Sequence, residues 1–114
     1  MPIDPPPLNL LQDLPPSSTD EVFQTLLEQG PLRIERILSR GHASPPGFWY
    51  DQDEAEWVLL LQGEAQLRFE DEAQPRALVA GDALYIGAHR RHRVEATAAG
   101  MTTIWLAIFL PAAG

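Results

Sequence analysis

Cysteine is absent from the chain, so disulfides and thiolate metal centres are excluded, and any bound metal would need nitrogen or oxygen donors. Lysine is absent too. Every basic side chain is one of eight Lys+Arg positions, all arginine, set against sixteen acids for a net charge of −8. Such a chain repels phosphate backbones, so no nucleic-acid partner is expected, and the short Arg90-Arg91 and Arg93 cluster reads as a solvated strand edge. No apolar run approaches the roughly 18–20 residues of a membrane span, and no basic, apolar leader opens the sequence. No membrane association is expected, and the cytoplasm is the expected compartment. Serine is confined to Ser17, Ser18, Ser39 and Ser44, none on a nucleophile elbow, and no glycine-rich phosphate loop is present.

What remains suits one domain, because 114 residues fall within the roughly 100–150 typical of a single core. Residues 1–17 carry much of the proline and read as an extended arm. Its Leu8, Leu10, Leu11 and Leu14 suggest that it lies against the domain or a neighbouring subunit. Residues 18–114 form the domain. Ser18 with Glu21 makes a capping box, Phe23, Leu26 and Leu27 recur at helical spacing, and Gly30-Pro31 reads as a stop. One short helix is therefore expected over residues 19–29.

From Leu32 the apolar period changes to two, through Ile34 and Leu38, with Ile37 breaking the alternation as in a strand covered on both faces. Short strands separated by turns continue to Leu110, including a hairpin about Gly63 and an acidic tip at Glu70–Pro75. About eight strands in eighty residues predict an all-β jelly roll or small barrel.

The central stretch GFWYDQDEAEWVLLLQG, Gly47 to Gly63, separates Glu56 from Gly63 by six intervening residues; downstream, Gly81 precedes His92 by ten intervening residues. In these spacings the chain resembles the cupin superfamily, over roughly residues 32 to 110. The first cupin motif has His-X-His, three or four residues, glutamate, six residues and glycine; the second runs from a glycine through Pro-X-Gly to a histidine and an asparagine. Glu56, Gly63, Gly81 and His92 match. Both histidines of the first motif are missing, Pro-X-Gly is Gly87-Ala88-His89, and the closing asparagine is Ala96. The FWYDQ…EWV variant is similar to a group of small bacterial cupins. The resemblance implies a double-stranded β-helix in which Glu56 and His92 converge inside the barrel.

A three-residue gap in the first motif adds Tyr50 and Gln52 to that pair, whereas a four-residue gap adds Asp51. The shorter gap keeps Tyr50, Gln52 and Glu56 at even separations, which lets all three face inward without a bulge. This donor set implies a divalent Mn, Fe, Ni or Zn ion held more weakly than by three histidines. The alternative is a metal-free pocket in which Glu56 and His92 pair directly. His89 and His42 are weaker candidates. Trp49, Trp57, Phe69, Tyr85 and Trp105 are candidate pocket walls as well as core. The resemblance implies one of two functions: a metal- and ligand-binding cupin, by family analogy of the oxygenase, isomerase, epimerase or decarboxylase kind, or a non-catalytic small-molecule-binding or sensing module. A homodimer is expected, because Ile34, Ile37, Trp57, Leu59 and the arm offer more apolar surface than one small barrel covers.

Overall fold

The computed structural model describes residues 7–16 and 19–112. Eight strands run in order: β1 (Val22–Gln29), β2 (Leu32–Ser39), β3 (Ala55–Gln62), β4 (Glu64–Phe69), β5 (Arg76–Val79), β6 (Ala83–Ile86), β7 (His92–Thr97) and β8 (Thr103–Leu110). They form two antiparallel sheets, β1-β2-β8-β3-β6 and β5-β4-β7. The all-β jelly roll expected from the period-two pattern is thus the fold.

The expected helix over residues 19–29 is not there. That segment is strand β1, paired with β2 from Val22↔Leu38 to Gln29↔Leu32. Gly30 and Pro31 form a two-residue hairpin turn, with Gly30 at φ +55°. Proline, whose φ is fixed near −65°, bars a type I′ turn and leaves type II′, which takes glycine first. The same dipeptide that would end a helix therefore turns a hairpin, and the ladder along β2 outweighs a helical spacing of only three apolar residues. Ser18, the expected cap, lies outside the described residues; Glu21 accepts a hydrogen bond from the Ser39 hydroxyl instead.

Alternation sorts the side chains of the larger sheet. Val58, Leu60, Trp105, Ala107, Phe109 and Ile86 face inward and meet Leu67, Phe69, Leu78 and Val94 of the smaller sheet in one core. Ile37 packs against this core and does not contribute to an outer apolar face as expected from the sequence. Gly63 makes the β3–β4 turn at φ +93°, and a Cβ there would lie 2.8 Å from the Thr103 Cα, so only glycine fits.

Arm residues 7–16 cross the outer side of the larger sheet. The buried Arg36 guanidinium donates to the carbonyls of Leu10 and Gln12 and to Gln24, while Arg40 reaches the carbonyls of Pro15 and Pro16. Residues 1–6 and 17 of the expected arm lie outside the described residues. Among the described residues no helix is long and apolar enough to cross a membrane.

Candidate functional site

Between the sheets a cavity of about 70 Å³ is lined by Tyr50, Gln52, Glu56 and His92 on its polar side. Phe23, Val58, Leu67, Val94, Trp105 and Phe109 form its apolar walls. Glu56 arrives on β3 beside Phe109 of β8, in register. His92 opens β7 and is tied to Tyr50 by an isolated bridge, with Tyr50 N–H donating to the His92 carbonyl at 2.7 Å. That bridge lays the Tyr50 ring along the imidazole, with centroids 5.3 Å apart and planes 23° apart.

The two strongest polar groups are both nearly removed from water, Glu56 7 % and His92 5 % exposed. His92 Nδ1 is 2.8 Å from the Arg90 carbonyl, which can only accept, so Nδ1 carries the hydrogen and Nε2 presents its lone pair to the cavity. Glu56 Oε1 lies 3.9 Å from Nε2 and accepts a hydrogen bond from the Gln52 amide at 3.3 Å. Burial disfavours charge on both groups. It pushes the Glu56 carboxyl up to about 7, against the Gln52 hydrogen bond that favours ionisation, with help from the charge of Glu35. It holds the His92 imidazole below its usual value, against the Arg90 carbonyl. At neutral pH the two therefore face each other as a partly protonated acid and a neutral base, and their contact is no ion pair. The Tyr50 hydroxyl is also pushed up, by burial first and then by Glu21 and Glu56.

The fold thus brings Tyr50, Gln52, Glu56 and His92 to one cavity and turns Asp51 away. Asp51 meets His89 Nδ1 at 2.7 Å on the exposed surface, where His89 also approaches Asp53 at 3.3 Å. His42 bonds backbone near the strand ends, taking the Arg40 N–H on Nδ1, and stands apart from the cavity. Of the aromatic candidates only Trp105 lines it; Phe69 lies in the core, while Trp57 and Tyr85 sit on the outer face. Phe23 and Phe109 were not anticipated as walls. Phe109 was findable from a strand alternation that sets it opposite Glu56, but Phe23 was hidden by the helical reading of its segment.

The residues present do not fit a resident transition metal. Glu56 and His92 are two strong donors, the Gln52 amide hydrogen is directed at Glu56, and Tyr50 lies flat on the imidazole. Among the described residues no group of three or more His, Asp or Glu could hold an ion. Catalytic metal sites use about three protein ligands.

The cupin domain family profile matches residues 37–109. No curated protein matches the sequence. Among solved structures, a candidate mannose-6-phosphate isomerase from Ralstonia eutropha JMP134 is 48 % identical, with a TM-score of 0.90 over 95 % of this chain and 100 % of that one. A cupin superfamily protein from Desulfitobacterium hafniense DCB-2 is 24 % identical, with a TM-score of 0.75 over 93 % of this chain and 91 % of that one. A cupin family protein with a double-stranded β-helix fold from Methanocaldococcus jannaschii is 16 % identical, with a TM-score of 0.67 over 88 % of each chain. The last two likenesses concern the fold alone.

Proposed function

Since the chain belongs to the cupin domain family, we propose that it binds a small polar organic molecule in the barrel and moves a proton on it through Glu56 and His92. The observation that carries this is the buried pair itself, an acid at about 7 facing a neutral imidazole across 3.9 Å. Groups poised near neutrality can take a proton at one position and return one at another, the elementary step of an isomerase or epimerase. His92 Nε2 is the acceptor, and Glu56 supplies or takes the second proton. Gln52 orients the carboxyl, and Tyr50 holds the imidazole plane. The name of the Ralstonia relative agrees with this reaction class.

No metal is included in this reading, because two donors fall short of a centre. Metal analysis of the purified protein checks that point. Stoichiometric Mn, Fe, Ni or Zn that disappears in Glu56→Gln and His92→Ala would restore the metal-dependent reading. Proton transfer is tested by screening small polar fragments by NMR and following deuterium wash-in from D₂O on those that bind. Exchange abolished by His92→Ala and by Glu56→Gln, but not by Asp51→Ala, is the expected result. The second reading is a binding or sensing module that uses the same cavity. It predicts binding without exchange.

A homodimer belongs to the same proposal. Leu27, Ile34, Ile108, Trp57 and Tyr85 stand directly opposite one another across all five strands of the larger sheet. They form one apolar row on the outer face, with Leu27, Trp57 and Tyr85 exposed at 44, 39 and 49 %. A second copy packed face to face covers it.

A further inference from the structure

We infer that the cavity takes a small organic cation, an alkylammonium-like group of a few heavy atoms, and rejects phosphates and carboxylates. The inference rests on reading the barrel as a ligand pocket and names the ligand class for it.

The first argument is the kind of polar atom presented. His92 Nε2 offers a lone pair because Nδ1 is committed to the Arg90 carbonyl, and among the described residues no hydrogen bond reaches Nε2. Glu56 Oε1 is a second acceptor 3.9 Å away. One nitrogen bearing two or more hydrogens can sit about 2.9 Å from each, an ordinary hydrogen-bond distance. A phosphate or carboxylate oxygen at that point would face two acceptors.

The second argument is charge. Acids act on the polar side of the cavity: Glu35 and Glu54 on Glu56, and Glu21 and Glu56 on Tyr50. The cations that could answer an anion are engaged elsewhere. Arg33 is shared between Glu35 at 3.1 Å and both carboxylate oxygens of Glu54, and lies over the Phe109 ring. Arg90 is held by Asp71 and Glu72, Arg91 by Glu70, and Arg93 by Glu95 and the carbonyls of Ser44 and Pro45. No arginine lines the cavity. Arg33 still acts on Glu56 and Arg90 on His92, but each is shared with two acids, and a net negative field at a low-dielectric cleft concentrates cations.

The walls complete the match. Tyr50, Phe23, Trp105 and Phe109 surround the acceptor pair, and aromatic rings attract alkylammonium groups as well as alkyl surface. A space of about 70 Å³ is small and suits a group of only a few heavy atoms. Sugar phosphates, the ligand class suggested by the name of the Ralstonia relative, match this pocket in neither size nor charge.

The test is a titration of the full chain by amide NMR at pH 7.5 with ethylammonium, ethanol and acetate, which are matched in size, and with the larger ethyl phosphate. Saturable shifts at residues 50–56 and 92–94 are expected with ethylammonium, at least tenfold tighter than with either anion, and at least tenfold weaker in Glu56→Gln. Thermal unfolding in parallel verifies that the variant folds, and the selectivity of the wild type needs no variant. Equal or tighter binding of ethyl phosphate or acetate overturns the inference and leaves the ligand-pocket reading standing. Preference for ethanol, or ammonium binding unchanged in Glu56→Gln, does the same. Absence of shifts at these residues with every probe overturns both.

Discussion

Replacing Glu56 by glutamine should stabilise the protein above neutrality and leave it nearly unchanged in acid. The carboxyl titrates at about 7 in the fold against 4.5 for its ordinary value, so between those values the native state holds a proton that the unfolded chain has released. Stability therefore falls as pH rises through this window, the sense expected for an acid whose folded value is raised. Above 7 the cost reaches about 3 kcal/mol, from ~2.5 units at 1.36 kcal/mol each. Glutamine cannot ionise but keeps a buried amide to be satisfied, so a net gain of about 2 kcal/mol is expected at pH 8. For a chain of this length, with an unfolding entropy near 2.1 cal/mol/K per residue, that is about 8 °C in Tm. His92 works the other way. Its folded value is depressed, so its contribution is present above its ordinary 6.5 and lost as pH falls below it. Both proteins share that contribution, and the difference between them isolates Glu56. The assay is urea unfolding of wild type and Glu56→Gln at half-unit steps from pH 4.5 to 8.5. A difference that stays flat across the window, or a variant less stable than wild type at pH 8, would refute the buried, uncompensated carboxyl.

Gly63→Ala should cost about 2–4 kcal/mol, because it forces a side chain into φ +93° and against Thr103, visible as a lowered urea midpoint. Trp57→Glu puts a charge in the five-residue row between Ile108 and Tyr85, and sedimentation should show a folded monomer where wild type sediments as a dimer; a monomeric wild type at micromolar concentration would contradict the assembly. Deleting residues 1–16 takes four carbonyl acceptors from Arg36 and Arg40, and a Tm drop corresponding to about 2–3 kcal/mol is expected by calorimetry.

Period-two patterning made most of the architecture legible, since an alternating segment with one buried face has few other arrangements. The turn at Gly63 was legible because glycine between two such runs has a backbone reason to be there. Glu56 and His92 were legible through the resemblance of their spacing from Gly63 and Gly81 to the two cupin motifs, which implies that they converge in the barrel. The segment 22–29 misled because Phe23, Leu26 and Leu27 satisfy a helical stripe while Val22 and Thr25 are β-branched, and only pairing with β2 decides between the two. Pocket walls contributed by β1 were therefore out of reach, as was the surface contact of Asp51 with His89, which depends on two loops meeting. Tyr50 and Gln52, at the positions where the cupin resemblance with a three-residue gap expects histidines, support the imidazole and the carboxyl respectively.

The pair at the centre of the site can be observed directly by following the Glu56 carboxyl carbon and the His92 ring nitrogens by NMR as pH is varied. The account predicts a Glu56 midpoint near 7 and a neutral imidazole at pH 7 with hydrogen on Nδ1. A Glu56 midpoint in the ordinary carboxylate range, with a charged His92 at pH 7, would contradict it.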